Sequence, residues 1–281
     1  MSEVAAPAGA TIAVASVPNL RDVGGWPTRD GRSVRRGLAY RSVALNHLAD
    51  RDVGAVETLG LRTVYDLRTE AKRTAGPDRP LDGVDQVIVD VLADSQDAAP
   101  AELAGLLVDP KQADKLLGGG RADALFAGAY REIVSLPSAL AGYRELFTGL
   151  ADAGRRPALY HCTIGKDRTG WATGALLSLL GVERELVTRE YLLTNEQLVP
   201  ALEPIFQRFE AAGGDREMLL PVLGVQASFL DASFQEMHDR FGTIEGYFAD
   251  GLGIDADGQQ ALREAFVAES VRQEGCDDRG S

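Results

Sequence analysis

Residues 157–181 read PALYHCTIGKDRTGWATGALLSLLG, and the fold is decided by how these three connected pieces are read. Pro157 to His161 is a short apolar run containing an aromatic residue, the composition of a buried strand. A loop centred on Gly165 follows. From about Thr169 to Leu180 small and apolar residues predominate, and Gly181 stands where a helix would end. Strand, tight loop and helix in that order predict an α/β unit.

Working outward, Leu61 to Leu67 (LRTVYDL) and Asp85 to Val91 (DQVIVDV) are rich in β-branched residues and read as two further core strands. Val53, Val56 and Leu59 fall at helical spacing within residues 50–59, with Gly60 as terminator. Asp30-Gly31 is a turn signal inside RDGRSVRRGLAYR (residues 29–41), which predicts a small hairpin with its charges in water. Ala122 to Val134 and Ser138 to Ala153 read as helices separated by Pro137, whose ring is excluded from a helix interior. Residues 93–121, with Gly118-Gly119-Gly120, hold no sustained period and predict a long mobile insertion with partial order. Beyond Gly181 the pattern is helical, broken near Pro200, Pro204, Gly213-Gly214, Pro221 and Gly242. With strands before residue 162 and helices after it, one α/β domain with a helical cap is expected. Its parts are a flexible N-terminus over 1–18, a single domain over 19–273 and a disordered tail over 274–281.

The chain has 281 residues, 45% of them hydrophobic and 25% charged, which fits a globular domain able to bury roughly three quarters of its extended surface. Its 29 basic and 42 acidic residues give a net charge of −13. That field disfavours nucleic acid and stable membrane association, and an anionic substrate must find a local positive pocket. Cys162 and Cys276 are too few for a disulfide framework, so a reducing compartment is expected. Met1 to Pro18 lacks the basic start of a secretory signal, and apolar runs such as Ala172 to Leu180 are shorter than the about 20 residues a membrane helix needs. A cytoplasmic setting follows, with export by a signal-peptide-independent route left open.

Within the loop, Cys162 and Arg168 stand six positions apart in a Cys-x5-Arg pattern. The spacing alone is weak, but His161, Gly165, Thr169, Gly170 and the strand-to-helix setting coincide with it. Residues Cys162, Thr163, Ile164, Gly165, Lys166, Asp167 and Arg168, wrapped before a helix N-terminus, turn backbone N–H groups inward and form an anion-binding cup. Gly165 permits a backbone angle closed to other residues, and Arg168 offers a planar fork for two phosphoryl oxygens. The same environment favours the thiolate of Cys162.

The loop, together with NLRDVGG (19–25), YRS (40–42), LGLRTVYDLRTEAK (59–72), YLLTN (191–195) and LGVQASFL (223–230), resembles the atypical bacterial tyrosine phosphatases of the secreted mycobacterial type over most of the chain. Outside the loop, these motifs are expected to serve packing and loop support. The resemblance implies a cysteine-phosphatase-like central sheet flanked by helices, with a helical lid in the C-terminal half drawn from residues 195–230. Phe206 and Phe209, spaced i to i+3, would pack on it or in the core. It further implies phosphate-monoester hydrolysis through a cysteinyl-phosphate, with Cys162 attacking phosphorus, Arg168 holding its oxygens and Thr169 donating to the sulfur as it leaves. No metal or cofactor is implied, in keeping with only three histidines, His47, His161 and His238, and no HExxH pattern. His161 is expected to orient the loop from its strand rather than act as a base.

The general acid is the open position. Trp26-Pro27 is followed by Thr28, so the Trp-Pro-Asp motif of many tyrosine phosphatases is absent. Asp167 is the first choice, matching the Lys-Asp-Arg arrangement of the resembled group, against a role bracing Arg168 or Lys166. Asp94 is the alternative, with Asp90 and Asp97 as competitors nearby. Lys166 gives His-Cys-x-x-Gly-Lys-x-Arg, a form similar to phosphoinositide phosphatases, unless it points to solvent. Expected substrates are therefore phosphotyrosine proteins, with dual-specificity or phosphoinositide action as extensions, and inorganic phosphate as product. Two rivals are a phospho-ligand-binding module without turnover and a rhodanese-like sulfurtransferase; Arg168-Thr169 favours phosphate over the latter. Asp66, Arg68 and Glu70 are expected to form a supporting ion network, as are Arg21 and Asp22.

Overall fold

A computed structural model of the chain describes residues 6–95 and 109–268. Five strands form one sheet: β1 (Arg21–Asp22), β2 (Ala39–Ser42), β3 (Thr63–Asp66), β4 (Asp85–Ile88) and β5 (Ala158–His161), in the order β1-β2-β5-β3-β4. Only β1 runs antiparallel to its neighbour; β5 pairs in parallel with β2 on one side and β3 on the other. In that register Ser42, His161 and Asp66 lie level at the carboxyl edge, and Cys162 is the first residue beyond it. The last of these five strands in sequence thus enters between two earlier ones. This places its loop at the point where open α/β sheets bind ligands.

Alternation along the strands sorts side chains onto two faces. Tyr40, Val64 and Leu159 join one apolar cluster with Val14, Val17, Leu20 and Val56, the last on α1 (Asp50–Glu57). Ala39, Tyr65 and Tyr160 join a larger cluster with helices that follow in sequence. After α2 (Glu70–Ala75) and α3 (Pro110–Leu117), α4 (Arg121–Ser135) and α5 (Pro137–Ala151) meet at Leu136, so Pro137 sits in the first turn of α5 where its missing N–H costs nothing. Gly149 of α5 lets helix and sheet come together, since a Cβ there would fall 1.8 Å from the Tyr65 hydroxyl. Helix α6 (Asp167–Leu179) is buried on nearly every side, as its small and apolar composition requires. It is followed by α7 (Arg184–Leu198), α8 (Glu203–Ala211), the short α9 (Leu220–Leu223), α10 (Ala227–Phe241) and, after a π-helical turn at Tyr247–Gly251, α11 (Ala256–Phe266).

Three expectations need revision. Residues 85–88 form an edge strand, not a core one: β4 pairs only with β3, and Ile88 is 64% exposed. The 29–41 segment makes its turn, with Pro27 bridged to Ser33, but Arg41 is fully buried because it belongs to β2 inside the sheet. Residues 6–18 are not loose throughout: Val14 and Val17 are buried, each worth roughly 1.5–3 kcal/mol, and Ser16 bonds Asp52 through both its amide and its hydroxyl. The partial order expected of 93–121 is met in its described part, where Asp109 caps α3 by accepting from the Lys111 and Gln112 amides. The remainder of that insertion, 96–108 with Asp97, lies outside the described residues, as does the 274–281 tail with Cys276.

Candidate active site

The loop from Cys162 to Arg168 leaves the carboxyl end of β5 and runs into the first turn of α6. Three of its carbonyls are tied away from its centre. The Cys162 oxygen lies 3.2 Å from His161 Nδ1, that of Thr163 accepts from the Ala44 amide at 3.2 Å, and that of Gly165 accepts from Asn19 Nδ2 at 3.0 Å and Arg41 Nη2 at 2.7 Å. A trans peptide points its N–H opposite its carbonyl, so the amides of Thr163, Ile164 and Lys166 turn inward and build the cup. Gly165 takes φ +67°, and a Cβ there would meet the Ser42 carbonyl oxygen at 2.2 Å. Gly165→Ala is therefore expected to cost at least about 1–2 kcal/mol from its left-handed backbone alone. The corresponding fall in Tm is about 2–8 °C, accompanied by loss of phosphate binding; an unchanged melting curve would show the loop to be softer than this.

Cys162 lies on the floor, 1% exposed, beneath a partly exposed rim of Thr163, Ile164, Asp167 and Arg168. Burial pushes its thiol up, but the Arg168 guanidinium, with the hydroxyl and amide of Thr169, outweighs both burial and the opposing charge of Asp167. The thiol is thereby held below its ordinary range. The Thr169 hydroxyl has no nitrogen or oxygen partner among the described residues, which leaves it free for the sulfur. Arg168 is aimed by the Leu67 carbonyl, which accepts from Nη1 at 3.0 Å, and by Thr163 Oγ1 at 3.3 Å from Nη2.

Asp167 shares the rim. Its carboxylate accepts from the Tyr130 hydroxyl, which is linked to the Tyr191 hydroxyl at 2.6 Å, and it stands 3.5 Å from Lys166 Nζ. Lys166 points neither into the cup nor to solvent. Its ammonium donates to the carbonyls of Pro221 at 3.2 Å and Gly224 at 2.8 Å and lies 5.1 Å from the centre of the Phe126 ring, tying the loop to α9. Burial lowers its pKa against the pull of Asp167.

Beneath the loop, Asp78 replaces Glu70 in the expected ion network. Arg68 bridges Asp66 at 2.7 Å and Asp78 at 2.9 Å, while His161 Nε2 stands 3.0 Å from Asp78; Glu70 is exposed and contributes its backbone amide to Asp90. Burial alone would depress His161, but Asp78 and then Asp66 raise it. Asp66, Asp78 and His161 bring potential ligand atoms within 4.8 Å of one another, yet the Arg68 guanidinium already supplies the carboxylates' countercharge. Of the N-terminal pair, Arg21 joins a buried ion group with Glu190 at 2.7 Å, whereas Asp22 caps the amides of Gly24 and Gly37.

Asp94 is occupied elsewhere, accepting from the amide and hydroxyl of Ser138 at the start of α5. Asp90 is held by the amides of Glu70 and Leu92. Thr28, after Trp26-Pro27, bridges Val182 beyond the far end of α6, about 20 Å from the loop for a 13-residue helix at 1.5 Å per residue. Phe206 and Phe209 are both fully buried in the core. Asn19, Arg41, Asp78, Tyr130 and Glu190 were not legible as site residues. Their signals, a polar residue in an apolar neighbourhood or an acid in a Pro-rich turn, are common in loops and on surfaces.

Comparison with known proteins gives a consistent result. A model of the tyrosine phosphatase family matches residues 12–268. A protein of Cupriavidus necator, provisionally named a tyrosine-protein phosphatase, is 31% identical over 260 residues, covering 89% of each chain. The triple specificity protein phosphatase PtpB of Mycobacterium tuberculosis is 31% identical over 256 residues, 83% of this chain and 90% of its own. A tyrosine-protein phosphatase of Nostoc commune is 25% identical over 228 residues, 79% and 72% of the two chains.

Proposed function

The chain belongs to the tyrosine phosphatase family and is a protein-tyrosine phosphatase, and we propose that it works by covalent catalysis at Cys162. The observation that carries this reading is a thiol held below its ordinary range on the floor of a cup whose carbonyls are tied outward. In the first step the Cys162 thiolate forms an S–P bond as the ester P–O bond breaks, and Asp167 gives its proton to the departing phenolate oxygen. In the second step a water attacks phosphorus, Asp167 takes its proton, and the S–P bond breaks with the Thr169 hydroxyl donating to the sulfur. Arg168 and the inward amides hold the three equatorial oxygens, where charge gathers in both transition states.

Substrate choice follows from depth and from Lys166. A phosphotyrosine carries its phosphate farther from the backbone than phosphoserine, which suits a buried sulfur beneath a raised rim. Lys166 is committed to two carbonyls and is a poor candidate for a second phosphate, so phosphotyrosine proteins are favoured over phosphoinositides. The segment joined to the loop through Lys166, residues 220–224, is the proposed lid. All parts of this machinery, from Asn19 to Gly224, fall within the proposed single domain over 19–273. No helix among the described residues is long and apolar enough to cross a membrane, and a thiolate nucleophile suits the reducing cytoplasm.

Hydrolysis of a phosphotyrosine peptide with EDTA present, set against phosphoserine peptides and phosphoinositides, tests the reading; activity confined to phosphoinositides would overturn the substrate assignment. Asp167→Asn is expected to lower kcat about 100-fold on phosphotyrosine. The loss should shrink on p-nitrophenyl phosphate, whose leaving group needs little protonation, and Asp94→Asn should be silent. The reverse pattern would move the acid to Asp94.

A further inference from the structure

Two of the quoted motifs outside the loop meet at one carbonyl oxygen, and a residue adjoining a third ties them together. Asn19 and Arg21 come from NLRDVGG, Arg41 from YRS, and Glu190 immediately precedes YLLTN. Arg41 donates through Nη1 to Glu190 Oε2 at 2.8 Å and through Nη2 to Gly165 O at 2.7 Å. Asn19 Nδ2 donates to the same Gly165 oxygen at 3.0 Å, and its Oδ1 accepts from Arg21 Nη1. Arg21 in turn reaches Glu190 Oε1 at 2.7 Å, the Glu190 carbonyl at 3.1 Å and Thr194 Oγ1 at 3.2 Å. Asn19, Arg21 and Arg41 are 0% exposed and Glu190 is 1% exposed.

The charges do not balance. Burial and the neighbouring Arg41 bring Arg21 down to about 10, which leaves it charged at neutral pH, and the paired guanidiniums hold Glu190 ionised against its own burial. Two buried cations against one anion leave one net positive charge. Burying an uncompensated charge is costly, and Arg41 Nε has no partner among the described residues. A stabilising scaffold would more simply use one arginine per carboxylate. The excess charge lies directly behind the peptide whose N–H faces the cup, where a phosphate dianion would compensate it.

We propose that Asn19, Arg21, Arg41 and Glu190 form a positioning clamp for phosphoryl transfer, holding the Gly165–Lys166 peptide with its N–H toward the phosphoryl group and placing one fixed positive charge behind it. The clamp rests on the reading of the Cys162 loop as the phosphoryl site. Without it the Gly165 carbonyl is free to rotate inward, which would replace an attractive N–H with a repelling oxygen. The groups whose charges act on the sulfur, Arg168, Asp167, Lys166, Arg68 and the hydroxyl of Tyr143, are retained in every clamp variant.

The test uses the full chain in a Cys276→Ser background, so that one thiol reports. Asn19→Gly removes a donor without changing charge, and glycine accepts the φ of +63° at that position. Arg41→Gln removes the excess cation, and Arg41→Lys keeps the charge but loses the fork. The readouts are phosphotyrosine kcat and KM, inhibition by orthovanadate, and the pH dependence of Cys162 alkylation by iodoacetamide. Asn19→Gly and Arg41→Gln are expected to lower kcat about 10- to 100-fold with a smaller change in KM, and to weaken vanadate inhibition in parallel. Arg41→Gln should also move the alkylation profile to higher pH, with Arg41→Lys restoring it in part. Wild-type kcat, vanadate inhibition and alkylation profile in folded Asn19→Gly and Arg41→Gln would overturn the clamp. Should Arg41→Gln fail to fold, Asn19→Gly decides through kcat and vanadate alone. Cys162→Ser in the same series separates the two readings: if it keeps turnover the nucleophile assignment fails, whereas if it is inactive while the clamp variants match wild type only the clamp fails.

Discussion

Cys162→Ser is expected to abolish phosphotyrosine hydrolysis, with kcat falling on the order of 10⁴-fold or more, while the protein folds and still binds phosphate. The substitution is nearly isosteric at a position 1% exposed, so the core around it has little reason to change. What changes is the nucleophile's acidity. Arg168, the Thr169 donors and the inward amides stabilise an anion at this point, but a serine hydroxyl starts so far above a thiol that the same stabilisation leaves it protonated. The wild-type pH profile carries the same signature. The deprotonated form is the reactive one and its pKa is depressed, so the rising limb of the kcat/KM profile should lie below the ordinary thiol range. Retention of substantial turnover by the serine variant, or a limb at or above the ordinary thiol range, would sink the assignment.

Arg168→Lys is expected to lower kcat about 10³-fold although the formal charge is kept. The guanidinium holds two fixed directions at once, with Nη1 on the Leu67 carbonyl and Nη2 on Thr163 Oγ1, and its plane can still meet two phosphoryl oxygens. A lysine ammonium has three donors on a flexible stem and cannot hold those anchors while matching the transition state. Because the lost contact strengthens as charge develops on the equatorial oxygens, the effect should appear in kcat more than in KM. Vanadate inhibition should weaken, and the rising limb of the pH profile should move upward as the fixed guanidinium that favours the thiolate gives way to a mobile ammonium. A lysine variant within tenfold of wild type would mean that Arg168 acts only as a charge.

Much of the site was legible because its information is local. His161 to Gly170 lie consecutively, Gly165 sits where only a left-handed residue fits, and Gly60, Pro137 and Gly181 mark helix boundaries by their own backbone chemistry. The strand at 85–88 was legible as a strand but not as an edge, because composition reports pairing propensity and leaves the number of neighbours undecided. Lys166 shows the same limit for a side chain. Its place in the loop was plain, but its direction depends on carbonyls 55 and 58 residues away.

From its sequence alone, this chain determined an α/β fold and an anion cup carrying a cysteine and an arginine, since those follow from turn chemistry, periodicity and the N-terminus of a helix. Tertiary structure alone decided what stands around the cup. Arg21 meets Glu190 across 169 positions and Arg41 meets Gly165 across 124. Charged residues are ordinarily solvated, and nothing in their immediate neighbours distinguishes the few that the folded sheet takes out of water and must therefore pair.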